Sequence, residues 1–333
     1  MWGESRLEAG RGLPLPVPVV SVTRPGLASP GAAIVCVGGA TLGGSGKTPL
    51  VAALARALAA RGVSVAVVGH GHRARLGRAA GAQRVTADDD PRAVGDEALL
   101  LARSLGQNIP VVIADRRADA MATASARAGL VLVDGPLALR PRAAASVLAI
   151  DALAPWGSGR VAPRGDLRAA PEALVAAADH VVALAAPGDD LHPDLAAFGE
   201  RVTVARWSEP EIVIDDRTVP AAELARERLG LATALGRPAR IVRMVARLGL
   251  APIVHVRAPD HGPRSDHALL RATATHDVER WIVTEKCALS LQGALARTAG
   301  KTPAIVRSAL DVDAQTVRAL ATLAALTVPA RAP

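Results

Sequence analysis

Residues 34–60 read Ile-Val-Cys-Val-Gly-Gly-Ala-Thr-Leu-Gly-Gly-Ser-Gly-Lys-Thr-Pro-Leu-Val-Ala-Ala-Leu-Ala-Arg-Ala-Leu-Ala-Ala, and this stretch decides the fold class. Ile34 to Val37 is continuously apolar and runs into Gly38-Gly39, the pattern of a parallel strand buried on both faces. Leu50 to Ala60 has the composition of a helix and closes on Arg61-Gly62. Between them, Thr41-Leu42-Gly43-Gly44-Ser45-Gly46-Lys47-Thr48 has the spacing of a Walker A loop, in the strand–loop–helix setting such a loop requires. Glycines let backbone N–H groups converge on phosphate oxygens, and the helix N-terminus adds a favourable dipole. Residues 41–48 are therefore expected to cradle ATP. Lys47 is expected to hold the β- and γ-phosphates, and the Thr48 hydroxyl to ligate Mg²⁺. Thr41 stands where the general pattern has its first glycine.

Outward from the loop, strand and helix alternate. Apolar runs at Val63–Val68, Pro110–Ala114, Gly129–Val133, Ser146–Ile150 and His180–Leu184 read as strands, with helices at Leu99–Leu105 and Arg117–Ala128. Such alternation through about residue 205 implies a parallel sheet with helices on both faces. Glu211–Val219 reads as a hairpin turning near Asp215-Asp216. Beyond it, Ala221–Val245 reads as helix, followed by strands at Pro252–Val256 and Trp281–Val283. The expected organisation is α/β throughout: a P-loop domain over 1–210, a hairpin connector over 211–225, and a smaller α/β domain over 226–333. Residues 11–33, rich in Pro and Gly, read as an extended lead-in.

Composition narrows the partners. The formal charge of +8 favours a polyanion, a phosphorylated substrate or an anionic membrane surface. One Phe, four Trp and no Tyr leave few stacking platforms for single-stranded nucleic acid, so none is expected as partner. Two cysteines, Cys36 and Cys287, make no disulfide framework and suit a reducing compartment. The N-terminus carries charge and proline where a signal peptide has an apolar run. No window reaches the roughly 18 uncharged apolar residues of a spanning helix. A cytoplasmic protein is expected, with peripheral membrane contact left open.

Three further motifs carry chemistry. Gly95-Asp96-Glu97 offers carboxylates of the kind a kinase uses to deprotonate an acceptor hydroxyl and to manage Mg²⁺; the same residues also suit a helix start. Val131-Leu132-Val133-Asp134-Gly135 is a strand ending in an acid, where a Walker B carboxylate would hold Mg²⁺, or where a simple turn would sit. Pro259-Asp260-His261 pairs a histidine with an acid after a strand. With Thr48, Asp134 and Glu97 are the metal candidates. No Gly-x-Ser-x-Gly elbow supports acyl transfer.

In their order and spacing these pieces resemble the tetraacyldisaccharide 4′-kinase family. The likeness runs from about Leu15 to Leu291. It takes in Pro16-Val17-Pro18-Val19-Val20, the loop at 43–49, Gly95-Asp96-Glu97 and Gly157-Ser158-Gly159-Arg160. It continues through Pro163-Arg164-Gly165-Asp166-Leu167-Arg168, Ala232–Pro238, Pro259-Asp260-His261 and Thr284-Glu285-Lys286. The resemblance implies ATP- and Mg²⁺-dependent phosphorylation of a lipid-linked disaccharide 1-phosphate at its 4′-hydroxyl. It implies Asp96 as base, assisted by His261, in a monomer working at the cytoplasmic face of the inner membrane. The family's Asp-Asp-Gly-x-Gln-His reads Val133-Asp134-Gly135-Pro136-Leu137-Ala138 here, its Ser-Arg-Gly-Tyr reads Gly69-His70-Gly71-His72, and the Asp after Thr-Glu-Lys is Cys287. Its N-terminal amphipathic anchor is expected to be short or missing. Two other readings stay open: a family member acting on another acceptor or only binding ATP, and a P-loop ATPase with no hydroxyl acceptor.

Overall fold

The computed structural model describes residues 19–21, 32–70, 81–260, 266–298 and 300–325. His261, His72 and most of the lead-in lie outside them. The chain divides into two compact units, Met1–Trp207 with Leu310–Pro333, and Ser208–Ala309.

In the first unit the elements run β1 (Val19–Ser21), β2 (Ala33–Gly39), α1 (Lys47–Ala59), β3 (Val65–Val68), β4 (Gln83–Val85), α2 (Pro91–Val94) and α3 (Asp96–Leu105). There follow β5 (Val111–Ile113), α4 (Arg117–Ser125), β6 (Leu130–Gly135), β7 (Ala138–Arg140), β8 (Ala145–Asp151), α5 (Pro171–Ala177), β9 (His180–Ala185) and β10 (Val202–Trp207). The second unit contains β11 (Glu211–Ile214), β12 (Arg217–Val219), α6 (Ala221–Leu224), β13 (Leu229–Thr233), α7 (Ala239–Arg247) and β14 (Val254–Arg257). It continues with α8 (His267–His276), β15 (Arg280–Thr284), α9 (Glu285–Ser290), α10 (Gln292–Leu295) and β16 (Ala304–Arg307). The chain then rejoins the first unit as β17 (Leu310–Val312) and α11 (Ala314–Leu323).

The first unit's main sheet has the order β17-β10-β9-β8-β2-β6-β3-β5-β4. Its interior ladders are parallel, and only the edge strands β17 and β4 run antiparallel. The runs read as doubly buried strands are so: Val35 to Val37, Val65 to Val68 and Leu130 to Val133 are at most 5% exposed. Ala118, Met121 and Ala124 of α4 and Leu174 and Val175 of α5 pack on one face. On the other, α1 buries Leu50, Leu54 and Leu58 completely. Each such side chain contributes about 1.5–3 kcal/mol of transfer free energy. Strand β2 sits between β6 and β8, where the direction of strand addition reverses, the place at which open α/β sheets bind ligands.

The second unit's sheet has the order β12-β11-β16-β15-β13-β14, with β13 to β16 mutually parallel. Three points differ from the sequence reading. The smaller unit ends at Ala309 rather than at 333, because β17 pairs with β10 and returns the chain to the first unit. The hairpin at 211–219 turns on Asp215 and Asp216, both at positive φ, but β11 pairs with β16 as part of this sheet. The stretch 221–245 is two short helices around a buried strand, β13, rather than continuous helix. Leu-Gly-Leu-Ala-Thr has the local composition of a helix. It pairs as strand between β14 and β15, where Gly230 leaves room for the Trp281 ring, 2.6 Å from where a Cβ would stand.

Candidate functional site

The loop from Ala40 to Gly46 takes its shape from contacts no side chain larger than hydrogen would allow. A Cβ on Gly39 would lie 1.9 Å from Ser45 Oγ, and one on Gly46 would lie 2.3 Å from Leu184 Cδ1 while holding φ at +76°. Gly46 thereby caps α1 in the left-handed region, and Lys47 and Thr48 open the helix. Thr41 is buried and donates from Oγ1 to Gly43 O at 2.7 Å, a local bond that stands in for the missing glycine. The Ser45 hydroxyl is buried with no hydrogen-bond partner. A cradle with a spare donor and a positive helix end fits a polyphosphate.

At the end of β6, Asp134 is 1% exposed. Thr48 Oγ1 donates to its Oδ2 at 2.7 Å, and Oδ1 is buried without a partner. Burial pushes the Asp134 pKa up to about 6; Lys47 opposes this, Glu97 adds to it, and Thr48 and Arg117 oppose it. Among the described residues no three His, Cys, Asp or Glu side chains cluster as a self-sufficient metal site. A hydroxyl and an orphaned carboxylate oxygen are hard donors that suit Mg²⁺, which keeps phosphate and water as its other ligands. Lys47 and Thr48 of the loop and Glu97 of α3, far from Asp134 in sequence, are thus brought within electrostatic reach of it.

Asp96 and Glu97 form the first turn of α3, Asp96 Oδ1 accepting the Glu97 N–H at 3.0 Å. The helix start of Gly95-Asp96-Glu97 is present, and it brings the Glu97 carboxylate within electrostatic reach of Asp134.

Two arginines complete the surroundings, and the sequence did not single them out as site residues. Arg168 donates from Nε to Thr41 O at 3.0 Å and from its backbone N–H to Ala40 O at 2.9 Å. Leu42 donates its own N–H to Asp166 O at 2.7 Å, so residues 166–168 brace the first half of the loop. Burial lowers the pKa of Arg168, with Asp134 and Glu97 offsetting it. Arg117, opening α4, is lowered by burial and held up by Asp134 and Cys36. A cation at the first position of a helix just past a strand end was the available signal. Burial drives the Cys36 thiol up to about 12, a packed side chain without nucleophile chemistry.

In the second unit, Asp260 is tied down. Its Oδ1 accepts from Lys286 Nζ at 2.9 Å and its Oδ2 from Gly236 N–H at 3.1 Å. Thr284 caps α9 by accepting the Cys287 N–H at 3.2 Å. Asp260, Thr284-Glu285-Lys286 and the loop at 232–238 thus converge on the carboxyl ends of neighbouring strands.

The sequence pattern of the family described as LpxK, tetraacyldisaccharide-1-P 4′-kinase, matches residues 26–325. A tetraacyldisaccharide 4′-kinase of Anaeromyxobacter dehalogenans is 35% identical over 318 residues, spanning 86% of this chain and 79% of the relative. One of Nitrobacter winogradskyi is 34% identical over 273 residues, spanning 80% and 76%. Among solved structures, LpxK from Aquifex aeolicus in complex with ATP is similar in fold, with a TM-score of 0.58, 18% identity and 88% of each chain covered.

Proposed function

The chain belongs to the tetraacyldisaccharide-1-P 4′-kinase family, and from that premise we propose that it transfers the γ-phosphate of ATP to the 4′-hydroxyl of a tetraacyldisaccharide 1-phosphate, a step of lipid A biosynthesis. The observation that carries the reading is the Thr48–Asp134 bond beneath a glycine cradle, with one carboxylate oxygen left for a cation. Lys47 neutralises charge on the β- and γ-phosphates, and Thr48 and Asp134, with Glu97 near, hold Mg²⁺. Mg²⁺ when bound screens the phosphate oxygens. Asp96 takes the proton of the acceptor hydroxyl as its oxygen bonds to the γ-phosphorus and the bond to the β–γ bridging oxygen breaks, releasing ADP. His261 supports Asp96, as the family resemblance implies. The enzyme works as a monomer in peripheral contact with the inner membrane.

The test is ADP release with and without tetraacyldisaccharide 1-phosphate, with mass spectrometry for one added phosphate. Acceptor-dependent release is expected. Equal release without acceptor would make the protein an ATPase. Asp96→Ala should cost about 10²–10⁴-fold in kcat, and adding His261→Ala should cost little more because the pair acts as a unit.

A further inference from the structure

Between β8 and α5 the chain makes a strap that returns to the Walker loop. Leu167 N–H donates to Arg160 O at 3.0 Å and Ala162 N–H to Leu167 O at 3.0 Å, closing the strap on itself. Ser158 and Asp166 fasten its ends together. Asp166 Oδ1 accepts the Ser158 N–H at 2.8 Å and the Ser158 hydroxyl at 2.7 Å, and Ser158 Oγ accepts the Asp166 N–H at 3.2 Å. Gly157, at φ +57°, admits this approach, since a Cβ there would lie 2.5 Å from Asp166 Oδ1. The fastened end then runs along the loop. Asp166 O accepts the Leu42 N–H at 2.7 Å, and Leu167 bridges to Thr41. Arg168 donates from its N–H to Ala40 O at 2.9 Å and from Nε to Thr41 O at 3.0 Å.

We propose that Ser158 and Asp166 are positioning residues for the nucleotide: their clasp holds the strap in register with Ala40–Leu42, and so fixes the shape of the phosphate cradle and the place of the Arg168 guanidinium beside it. Core and surface divide the task. Leu167, fully buried in one cluster with Trp156, anchors the strap to the fold. The clasp lies at the surface, where water competes for its hydrogen bonds and their net contribution to global stability is small. What the clasp sets is geometry. Gly157 and Gly159, both at positive φ, give this end of the strap little stiffness of its own. A cradle whose N–H groups must converge on one set of phosphate oxygens tolerates little displacement. A misplacement of about 1 Å can cost about 10²-fold in rate. Arg168 follows Asp166 by two positions, and Asp134 and Glu97 both act on its guanidinium, so a slip of the strap moves a cation at the phosphate site. This role rests on the reading of residues 41–48 as an ATP cradle, not on the identity of the acceptor.

Calorimetry on the full chain measures affinity for a non-hydrolysable ATP analogue with Mg²⁺, beside the thermal midpoint and the KM for ATP in acceptor-dependent turnover. Asp166→Ala should raise the dissociation constant about tenfold and Ser158→Ala about threefold, as loss of the clasp's hydrogen bonds is felt at the cradle. The KM for ATP should rise in step, while the thermal midpoint stays near that of wild type. Ser158→Thr, which keeps the hydroxyl, and Asp166→Asn, which keeps an accepting oxygen, should restore affinity. Asp166→Ala added to Arg168→Ala should cost little beyond Arg168→Ala alone, because both act through one strap. A lowered midpoint with unchanged affinity would make the clasp a stability element, and equal affinity in Ser158→Ala and Ser158→Thr would show that the hydroxyl sets nothing at the cradle; either overturns the proposal. The Ser158 pair decides the matter if Asp166→Ala does not fold, since it alters only an exposed side chain. Absent turnover in wild type, with these affinity shifts intact, would sink the kinase reading and leave the clasp standing.

Discussion

Asp134 ends β6 with one oxygen bonded to Thr48 and the other buried without a partner, whereas Asp260, after β14, has one oxygen on Lys286 Nζ and the other on Gly236 N–H. Both acids sit at the carboxyl ends of parallel strands, in sheets built the same way. An unsatisfied buried carboxylate costs stability, so one is retained where a ligand completes it. A carboxylate satisfied by a lysine and a backbone amide instead fixes loops. The first unit therefore carries an open polar site, and the second a closed one that ties Asp260 to the loop at Gly236 and to Lys286.

The largest effect should come from the open side. Lys47→Ala removes the cation facing the phosphates and should lower kcat about 10³-fold with no change in thermal midpoint. Near-normal turnover would break the comparison at its root. On the closed side, Lys286→Met strands Asp260 without its ion-pair partner and should cost about 3 kcal/mol in denaturant unfolding. If stability stays level, Asp260 is no more tied than Asp134. Asp134→Asn should act the other way, raising the Mg²⁺ concentration for half-maximal activity at least about tenfold while leaving ligand-free stability intact or higher. An unchanged Mg²⁺ titration would move the ligand role to Glu97.

The smallest effect sharpens the point within the first unit. His180, 4% exposed, shares a 2.8 Å hydrogen bond with Thr203, which accepts from Thr316 of α11. Burial lowers its pKa, Arg201 lowers it further, and Asp313 partly offsets both. The unfolded chain then takes up a proton before the folded one. Stability should be full above the ordinary histidine value of about 6.5 and fall as pH drops below it. His180→Gln should flatten that acid limb. An acid limb unchanged by the substitution would assign it to other groups.

How far the sequence reached is visible residue by residue. Thr41 to Thr48 declared itself because a phosphate loop needs glycine at fixed offsets from a helix start, and local backbone geometry is a property of neighbours in sequence. The buried strands were legible for the same reason, as apolar runs with one sign at every position. The turn at Asp215-Asp216 was too, yet its role was not, since pairing of β11 with β16 joins residues far apart. Strand β13 was hidden because Leu, Ala and Gly carry no strong preference until Trp281 and the neighbouring strands supply one.

By itself, then, the sequence determined the alternation of elements, the phosphate loop and the identity of its charged groups, because these rest on spacing and on side-chain chemistry. Tertiary structure alone decided that Thr48 reaches Asp134, that Arg168 braces Ala40 and Thr41, and that the chain's last strand and helix return to the first unit. Each of those is a contact between distant positions. Its free energy depends on burial and on which partners remain for a polar atom, quantities that exist only once the chain has folded.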